Sequence, residues 1–155
     1  MLDIYNQLIK KINKSQVLMS EPMSKHTSFK IGGPADFFVK IKRVPELQYI
    51  LEMAKDEDLP VTIIGNGTNL LVKDSGIRGI VVKPCFSEIK IEEDGTLISG
   101  AGVLLPKLVN IAYENSYAGL EFASRNTRDC WWRNKNECRR IRRRNEGCGN
   151  FFGMY

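Results

Sequence analysis

Between residues 36 and 117, short β-rich runs alternate with two segments of helical period, and this alternation is the strongest constraint on the fold. The helical segments are Val44 to Asp58, where Pro45 suits a first helical turn, and Leu104 to Asn115. The pattern predicts one α/β or α+β domain, preceded by an amphipathic helix over residues 2–14. The β-rich runs are Asp36 to Ile41, Val61 to Ile64, Gly79 to Lys83, Ser87 to Ile91 and Thr96 to Gly100.

A glycine-containing segment, Gly65-Asn66-Gly67-Thr68-Asn69, interrupts one β-rich run, which resumes as Leu70-Leu71-Val72. Its two glycines would let backbone amides come close to an anion. The segment lacks the third glycine of the Rossmann fingerprint and the Gly-Lys-Ser/Thr of a P-loop. Asn-Gly between two apolar runs is typical of a type I′ hairpin. The residues alone therefore favour a strand-turn-strand hairpin over an anion site.

Two other places could carry chemistry. His26 is the single histidine and precedes Thr27 and Ser28, but no acidic partner is apparent nearby. We therefore interpret His26 as a solvated or structural residue rather than a catalytic base. Gly100-Ala101-Gly102 either brings the backbone close to a ligand or simply ends a strand before a helix, and the second interpretation is somewhat favoured.

The basic charge of the chain belongs to its last 31 residues. The formal net charge is +5, yet residues 1–124 carry a net charge of −1 and residues 125–155 a net charge of +6. An arginine run and two tryptophans in this tail permit non-specific nucleic-acid binding. Cysteines at 130, 138 and 148 lack the close spacing of a zinc site, so no metal is expected.

Nothing in the sequence indicates a membrane segment or a signal peptide. No run of about 18 apolar residues is present, and the start lacks the basic-then-apolar order of a secretion signal. We therefore expect a cytoplasmic protein without a membrane partner, whose four cysteines are reduced thiols.

Five segments, taken together and in order, resemble one enzyme family. Each segment is weak evidence by itself, but the order and spacing are similar to those of the UDP-N-acetylenolpyruvoylglucosamine reductases, also called UDP-N-acetylmuramate dehydrogenases. The resemblance covers about the first 124 residues. The five segments are His26 to Ala35, Gly65 to Val72, Gly76 to Gly79, Gly100 to Gly102 and Gly119 to Ser124.

The resemblance implies a fold, a cofactor and a reaction. The fold is the FAD-binding type of vanillyl-alcohol oxidase, with two α/β subdomains that hold the flavin, and α+β overall. The reaction is the reduction of UDP-N-acetylglucosamine enolpyruvate to UDP-N-acetylmuramate with FAD and NADPH, in peptidoglycan precursor synthesis by a monomeric enzyme. The loop would carry the FAD diphosphate, which replaces the hairpin interpretation, and a second segment would lie along the flavin. The implied cofactor-binding residues are Ile64, Gly65, Asn66, Gly67, Thr68, Asn69, Leu70, Gly100, Ala101 and Gly102.

The resemblance stops at Ser124, where the family continues with a glycine-rich flavin loop and this chain continues with Arg125. Reversing the genetic code explains the departure. Omitting one nucleotide lets codons 125 onward read Gly-Ile-Pro-Gly-Thr-Val-Gly-Gly-Ala, which resembles the family text. The codons of Trp131 and Trp132 have no synonyms and force Gly-Gly in the shifted frame. We therefore interpret residues 125–155 as a frameshifted, disordered tail.

The expected product is a truncated FAD-binding domain, residues 1–124, that is catalytically inactive and binds FAD weakly or not at all, because half of the flavin cradle is missing. The serine proton donor, and the arginine and glutamate that stabilise the intermediate in the family, would all lie beyond the departure, so no catalytic residue is assigned here. Two alternatives stay open. One is a retained FAD-binding module, and the other is a non-specific nucleic-acid binder that acts through its tail.

Overall fold

The structure, a computed structural model, describes residues 1–93, 96–118, 120 and 142–143. It divides the chain into two compact units, Met1–Cys85 and Phe86–Tyr155. This division falls inside the 1–124 segment that the sequence treats as one piece. The boundary predicted at residue 124 lies outside the described residues and stays a prediction.

A four-stranded sheet forms the centre of the first unit. The strand order is β1-β2-β4-β3, with β1 antiparallel to β2 and with both β2 and β3 parallel to β4. The residues from Phe37 to Val39 are all buried, which indicates that both faces of the central strand are covered. The strands are β1 Val17–Pro22, β2 Pro34–Ile41, β3 Val61–Ile63 and β4 Ile77–Pro84.

Two helices accompany the sheet, α1 at Leu2–Lys11 and α2 at Val44–Asp56. Both predicted helices are confirmed, each ending two or three residues earlier than expected, and Pro45 lies in the first turn of α2 as predicted. The two helices are tied together, because the Tyr49 hydroxyl donates to the Gln7 carbonyl at 2.8 Å. No helix within the described ranges is long and apolar enough to cross a bilayer.

A buried carboxylate fixes the start of α2. Glu46 is 4% exposed. Its carboxylate accepts hydrogen bonds from the Lys42 amide at 2.8 Å, from Arg43 Nε at 3.1 Å and from Gln16 Nε2 at 3.2 Å. Burial raises the pKa of Glu46, but these hydrogen bonds together outweigh burial and hold the pKa below its usual range.

The second unit contains a hairpin, a helix and a two-residue strand pair. Strands β5 (Ile89–Ile91) and β6 (Leu97–Ser99) lie within two of the predicted β-rich runs and pair antiparallel, and helix α3 spans Leu105–Glu114. Strand β7 (Tyr117–Ala118) pairs antiparallel with β8 (Arg142–Arg143). The core of this unit consists of Leu97, Val103, Leu105, Leu108, Ala112, Tyr117 and Leu120.

Only two residues of the predicted tail are described: Arg142 and Arg143 form strand β8. The expected disorder of the tail stays a prediction. The rest of residues 125–155, including the arginine run around these two, the two tryptophans and three of the cysteines, lies outside the described residues.

One strand-turn-strand prediction was wrong, and one strand was not predicted. Residues 70–72 form no strand, and β3 pairs in parallel with β4, so the predicted hairpin at Gly65–Asn69 does not exist. A two-residue turn joins antiparallel strands only, and parallel neighbours need a longer crossover. Strand β1 was not predicted, because its sequence, Val-Leu-Met-Ser-Glu-Pro, lies at the sheet edge and lacks a regular apolar alternation.

We predict that Glu46→Gln lowers the free energy of unfolding by about 1–3 kcal/mol at neutral pH, because the amide cannot accept all of the bonds that the carboxylate accepts. The folded pKa of Glu46 lies below its unfolded value, so its stabilisation is complete above the ordinary glutamate pKa. It is lost as the pH falls through the lowered value. Urea unfolding of both proteins across this range measures the difference, and a gap that does not shrink in acid would contradict the assignment.

Candidate functional site

The connection between β3 and β4 carries the glycine segment singled out from the sequence. Because the two strands are parallel, residues 64–76 must return from the end of β3 to the beginning of β4. This crossover contains no helix and no strand. The segment Gly65–Asn69 is therefore the first part of an irregular crossover, placed directly after a sheet strand.

The backbone amides of this crossover have few acceptors within the protein. Among the described residues, the N–H groups of residues 65–71 donate no hydrogen bond of ordinary geometry, although residues 68–69 form a turn. We name residues 65–71 the amide loop. By contrast, the amide of Ile64, just before the loop, donates to the Val82 carbonyl at 2.9 Å. The amides of residues 72–75 likewise donate no such bond, so the amide donors before Gly76 are left to water or to a ligand.

One close backbone contact holds the middle of the amide loop. Gly67 is buried and has φ +66°, and a Cβ added there would overlap the carbonyl oxygen of His26. Its own carbonyl accepts a hydrogen bond from the Ser28 amide at 3.0 Å. Only glycine combines this backbone conformation with so close a neighbour. The His26–Ser28 segment is therefore the support on which the loop rests.

The far end of the crossover is fixed in a similar way. Gly76 has φ +78°, and a Cβ there would overlap the carbonyl oxygen of Pro34. The Lys73 carbonyl accepts hydrogen bonds from the amides of Gly33 at 3.0 Å and Gly76 at 2.9 Å. Thus the His26–Ala35 segment, the longest motif of the resemblance, contacts both the amide loop and the residues after it.

His26 has an acidic partner, contrary to the expectation from the sequence. Its Nε2 lies 3.1 Å from Glu21 Oε1, and its ring stacks on Phe38 with centroids 3.9 Å apart and an interplanar angle of 16°. Burial lowers the pKa of His26 and the Glu21 carboxylate raises it, and burial prevails, so the pKa lies below the ordinary value. The structural interpretation of His26 is supported, because its ring packs within the first unit. Glu21 was not recognised as this partner because strand β1, which contains it, was not predicted.

The predicted loop residues occupy different environments. Ile64 is 5% exposed and belongs to a core cluster with Phe38 and Val81, against which Leu70 also packs. Gly65, Asn66 and Thr68 are half-buried, Gly67 is buried and Asn69 is exposed. The predicted loop is thus anchored in the core at Ile64 and Leu70, and of the residues between them Asn69 is exposed.

Exposed apolar side chains accompany the amide loop. Leu71 is 69% exposed within it, and Phe29 and Ile31 are 55% and 52% exposed in the supporting segment. The two segments run side by side, because the Ser28 amide bonds to Gly67 and the Gly33 amide bonds to Lys73. The sequence motifs include these three residues but give them no role. Their signal is large apolar side chains close to glycines, before Gly32 and after Gly67, where surface loops are usually polar.

The second predicted segment, Gly100-Ala101-Gly102, differs from the amide loop. The Gly100 amide donates to the Glu88 carbonyl at 2.8 Å, and the Gly102 amide donates to the Phe86 carbonyl at 3.0 Å. These two amides stabilise the β5–β6 hairpin rather than facing a ligand unpaired. The segment also ends β6 and precedes α3, as one interpretation of the sequence had it. A flavin contact by these residues stays a prediction.

The described residues contain no group of three or more His, Cys, Asp or Glu side chains that could hold a metal ion. Cys85 is a half-buried free thiol. The available chemistry of the site is therefore that of backbone donors, neutral polar side chains and apolar surface.

Comparisons with known proteins identify the family of this chain. Residues 35–128 match the family described as "FAD binding domain". UDP-N-acetylenolpyruvoylglucosamine reductase of Clostridium tetani is 45% identical over 123 residues, which are 79% of this chain and 40% of that protein. The protein of the same name from Desulforamulus reducens is 44% identical over 125 residues, 78% of this chain and 41% of that protein. The chain thus spans about two fifths of the length of these relatives.

Solved structures show the same fold. UDP-N-acetylenolpyruvylglucosamine reductase from Thermus caldophilus matches with a TM-score of 0.57 and 26% identity, over 74% of this chain and 38% of that one. A p-cresol methylhydroxylase matches with a TM-score of 0.58 at 15% identity, over 74% of this chain and 24% of that one, which shows likeness of fold alone. The resemblance to the UDP-N-acetylenolpyruvoylglucosamine reductases and the vanillyl-alcohol-oxidase type of fold are confirmed, and the chain belongs to the FAD-binding domain family, whose cofactor is FAD.

Proposed function

We propose that the amide loop holds the diphosphate of FAD, and that this chain is the FAD-binding portion of a UDP-N-acetylenolpyruvoylglucosamine reductase. The observation that carries the proposal is that the successive backbone amides of residues 65–71 donate no hydrogen bond of ordinary geometry in the described structure. Such amides are suited to an anion, because oriented N–H groups act as fixed partial positive charges.

The charge of the loop fits a diphosphate. Residues 64–72 contain no charged side chain, so no carboxylate there repels an anion. Asn66, Thr68 and Asn69 add neutral polar groups whose side chains take part in no hydrogen bond of the described structure. Half-buried donors are costly to leave unpaired, and a diphosphate would supply several charged acceptors at once.

The apolar surroundings favour a dinucleotide over inorganic phosphate. A bare phosphate gains nothing from Phe29, Ile31 and Leu71, each of which is more than half exposed. A dinucleotide carries a flat ring system on each side of its diphosphate, and such rings gain free energy by covering apolar side chains. Backbone amides that can donate hydrogen bonds to a diphosphate, beside exposed apolar side chains that can contact flat rings, therefore match the two chemical parts of FAD.

The family reaction extends the proposal to the whole enzyme. FAD, when bound, supplies the hydride chemistry that reduces the enolpyruvyl double bond of UDP-N-acetylglucosamine enolpyruvate with NADPH. The described residues of this chain bind and orient the cofactor, and none is assigned to proton transfer. Use of NADPH, a role in peptidoglycan synthesis and thereby in cell shape and division, cytoplasmic location and a monomeric state all belong to this proposal.

We further propose that the chain as it stands does not complete this reaction. Residues 125–155 would be the product of a slipped reading frame, which replaces the glycine-rich continuation of the family. The relatives align over 123 to 125 residues, which is close to the length of the segment that carries the motifs. FAD binding by the first 124 residues can therefore be measured separately from catalysis.

We predict that Asn66→Asp weakens FAD binding by at least about tenfold at low ionic strength, because it places a negative charge beside the diphosphate. The change is isosteric and removes no hydrogen bond present in the described structure. Asn6→Asp, the same change on the exposed surface of α1, is the matched control and should leave the affinity unchanged.

Flavin fluorescence titrations with FAD and with riboflavin measure this effect. Riboflavin has no phosphate, so its binding should not distinguish Asn66→Asp from the unaltered chain. Equal affinities for FAD in all three proteins would contradict the proposed position of the diphosphate.

We predict that Gly67→Ala destabilises the chain by a few kcal/mol, about what loss of a required positive-φ glycine costs, and also weakens FAD binding at least about tenfold. Gly79→Ala is a control of similar severity, since Gly79 has φ +82° and a Cβ there would overlap the Pro60 carbonyl. Gly79 lies in β4, outside the amide loop. Urea unfolding and FAD titration below the transition separate stability from binding, and equal losses of affinity in both variants would count against the loop.

We predict that the DNA around codon 124 reads Gly-Ile-Pro-Gly-Thr-Val-Gly-Gly-Ala once one nucleotide is omitted. Sequencing this region decides the point, because synonymous codons incompatible with that text would refute a frame slip.

The purified chain should show no NADPH oxidation dependent on the enolpyruvyl substrate. Such oxidation by the chain as it stands would contradict its proposed inactivity.

A further inference from the structure

We propose that His26 is a positioning residue for the amide loop: its ring fixes the backbone segment that holds Gly67 in place, although the ring itself is not a ligand of the cofactor. That the loop binds FAD rests on the proposed function. The positioning itself rests on contacts within the first unit and is measurable without a ligand.

The ring of His26 is held by two strands of the sheet. It stacks on Phe38 of β2 at 3.9 Å, and its Nε2 lies 3.1 Å from Glu21 of β1. The side chain is only 11% exposed. Phe38 is itself fully buried in a central strand of the sheet, so the ring packs against the core of the unit.

The backbone of His26 faces the loop. Its carbonyl oxygen occupies the space that a side chain at Gly67 would need, and the Ser28 amide donates to the Gly67 carbonyl at 3.0 Å. The His26 amide is also engaged, because it donates to the Met23 carbonyl at 2.8 Å. One residue thus joins the sheet, through its side chain, to the loop, through its main chain. A displaced ring would shift the His26 carbonyl, against which Gly67 packs.

The charges around His26 favour its neutral form in this position. Burial against Phe38 lowers the pKa of His26, the Glu21 carboxylate raises it, and Lys40 of β2 and Lys83 of β4 lower it further. Lys25, in the same turn as His26, lies 3.5 Å from Glu21 and competes for that carboxylate. Because the folded pKa lies below the ordinary value, the unfolded segment binds more protons. The contact is therefore most stable above the ordinary histidine pKa and weakens as the pH falls below it.

Hydrogen exchange of the Ser28 amide in the full chain, measured by NMR, tests the inference without any ligand. We expect His26→Ala to accelerate this exchange at least about tenfold while the amides of the β2–β4 ladder keep their rates. Lys25→Ala, which removes the other partner of Glu21, is the matched control and should change the rate by no more than about twofold. Unchanged Ser28 exchange in His26→Ala would overturn the inference. Equal acceleration throughout the sheet would also overturn it, because His26 would then be a core residue only.

A conservative variant and FAD binding supply the second readout. We expect His26→Phe to keep the stacked ring and most of the Ser28 protection, and to abolish the loss of protection that acidification causes in the unaltered chain after correction for intrinsic exchange. FAD affinity should fall at least about tenfold in His26→Ala and be largely restored in His26→Phe. If the unaltered chain binds no FAD, the proposed function fails while the exchange result still decides the positioning. A pH dependence that persists in His26→Phe would overturn the role of His26.

Discussion

The contact between Gly67 and the His26 carbonyl is the constraint on which the candidate site depends. A residue with a side chain cannot stand at position 67, because both the positive φ and the neighbouring oxygen exclude a Cβ. The contact brings an irregular crossover against residues 26–28, which are themselves anchored on β1 and β2. Gly67 and Gly33 therefore allow backbone to pack on backbone, against His26 and Asp74 respectively.

This arrangement differs from the common way in which α/β folds bind phosphate. Rossmann and P-loop proteins place the anion at the N-terminus of a helix, where the helix dipole adds to the amide donors. Here the connection after β3 contains no helix, and successive loop amides would have to supply the donors alone. A loop without a helix gains its order from elsewhere, here from hydrogen bonds that the segment before β2 donates to Gly67 and Lys73. Leu70 and Val72 add anchorage by packing on the core cluster of Phe38.

The helices and most strands were predictable because local signals agree with the tertiary structure. Pro45 marks the start of α2, and the apolar period identifies its buried face, with Ile50 and Ala54 in the core. The hairpin at Gly65–Asn69 was predicted wrongly because Asn-Gly between apolar runs is a local signal, whereas parallel pairing with β4 is a long-range one. Leu70 and Val72 look like strand residues in the sequence, yet they are apolar because they anchor a loop.

The candidate site was only partly predictable from the sequence. Position and cofactor of the amide loop came from its resemblance to a family, since two glycines alone do not distinguish a turn from an anion site. The Glu21 partner of His26 was invisible because β1 was not recognised, and the engagement of Gly100 and Gly102 amides depends on a hairpin register that spacing does not reveal.

The central claim is that the backbone amides of residues 65–71 receive the FAD diphosphate, and amide NMR shifts during a titration with ADP test it most directly. ADP carries the diphosphate without the flavin. The account predicts that the largest saturable shifts fall on amides 65–71, with smaller ones on residues 26–34. Saturable binding whose shifts lie elsewhere in the chain and leave the amide loop unperturbed would contradict it.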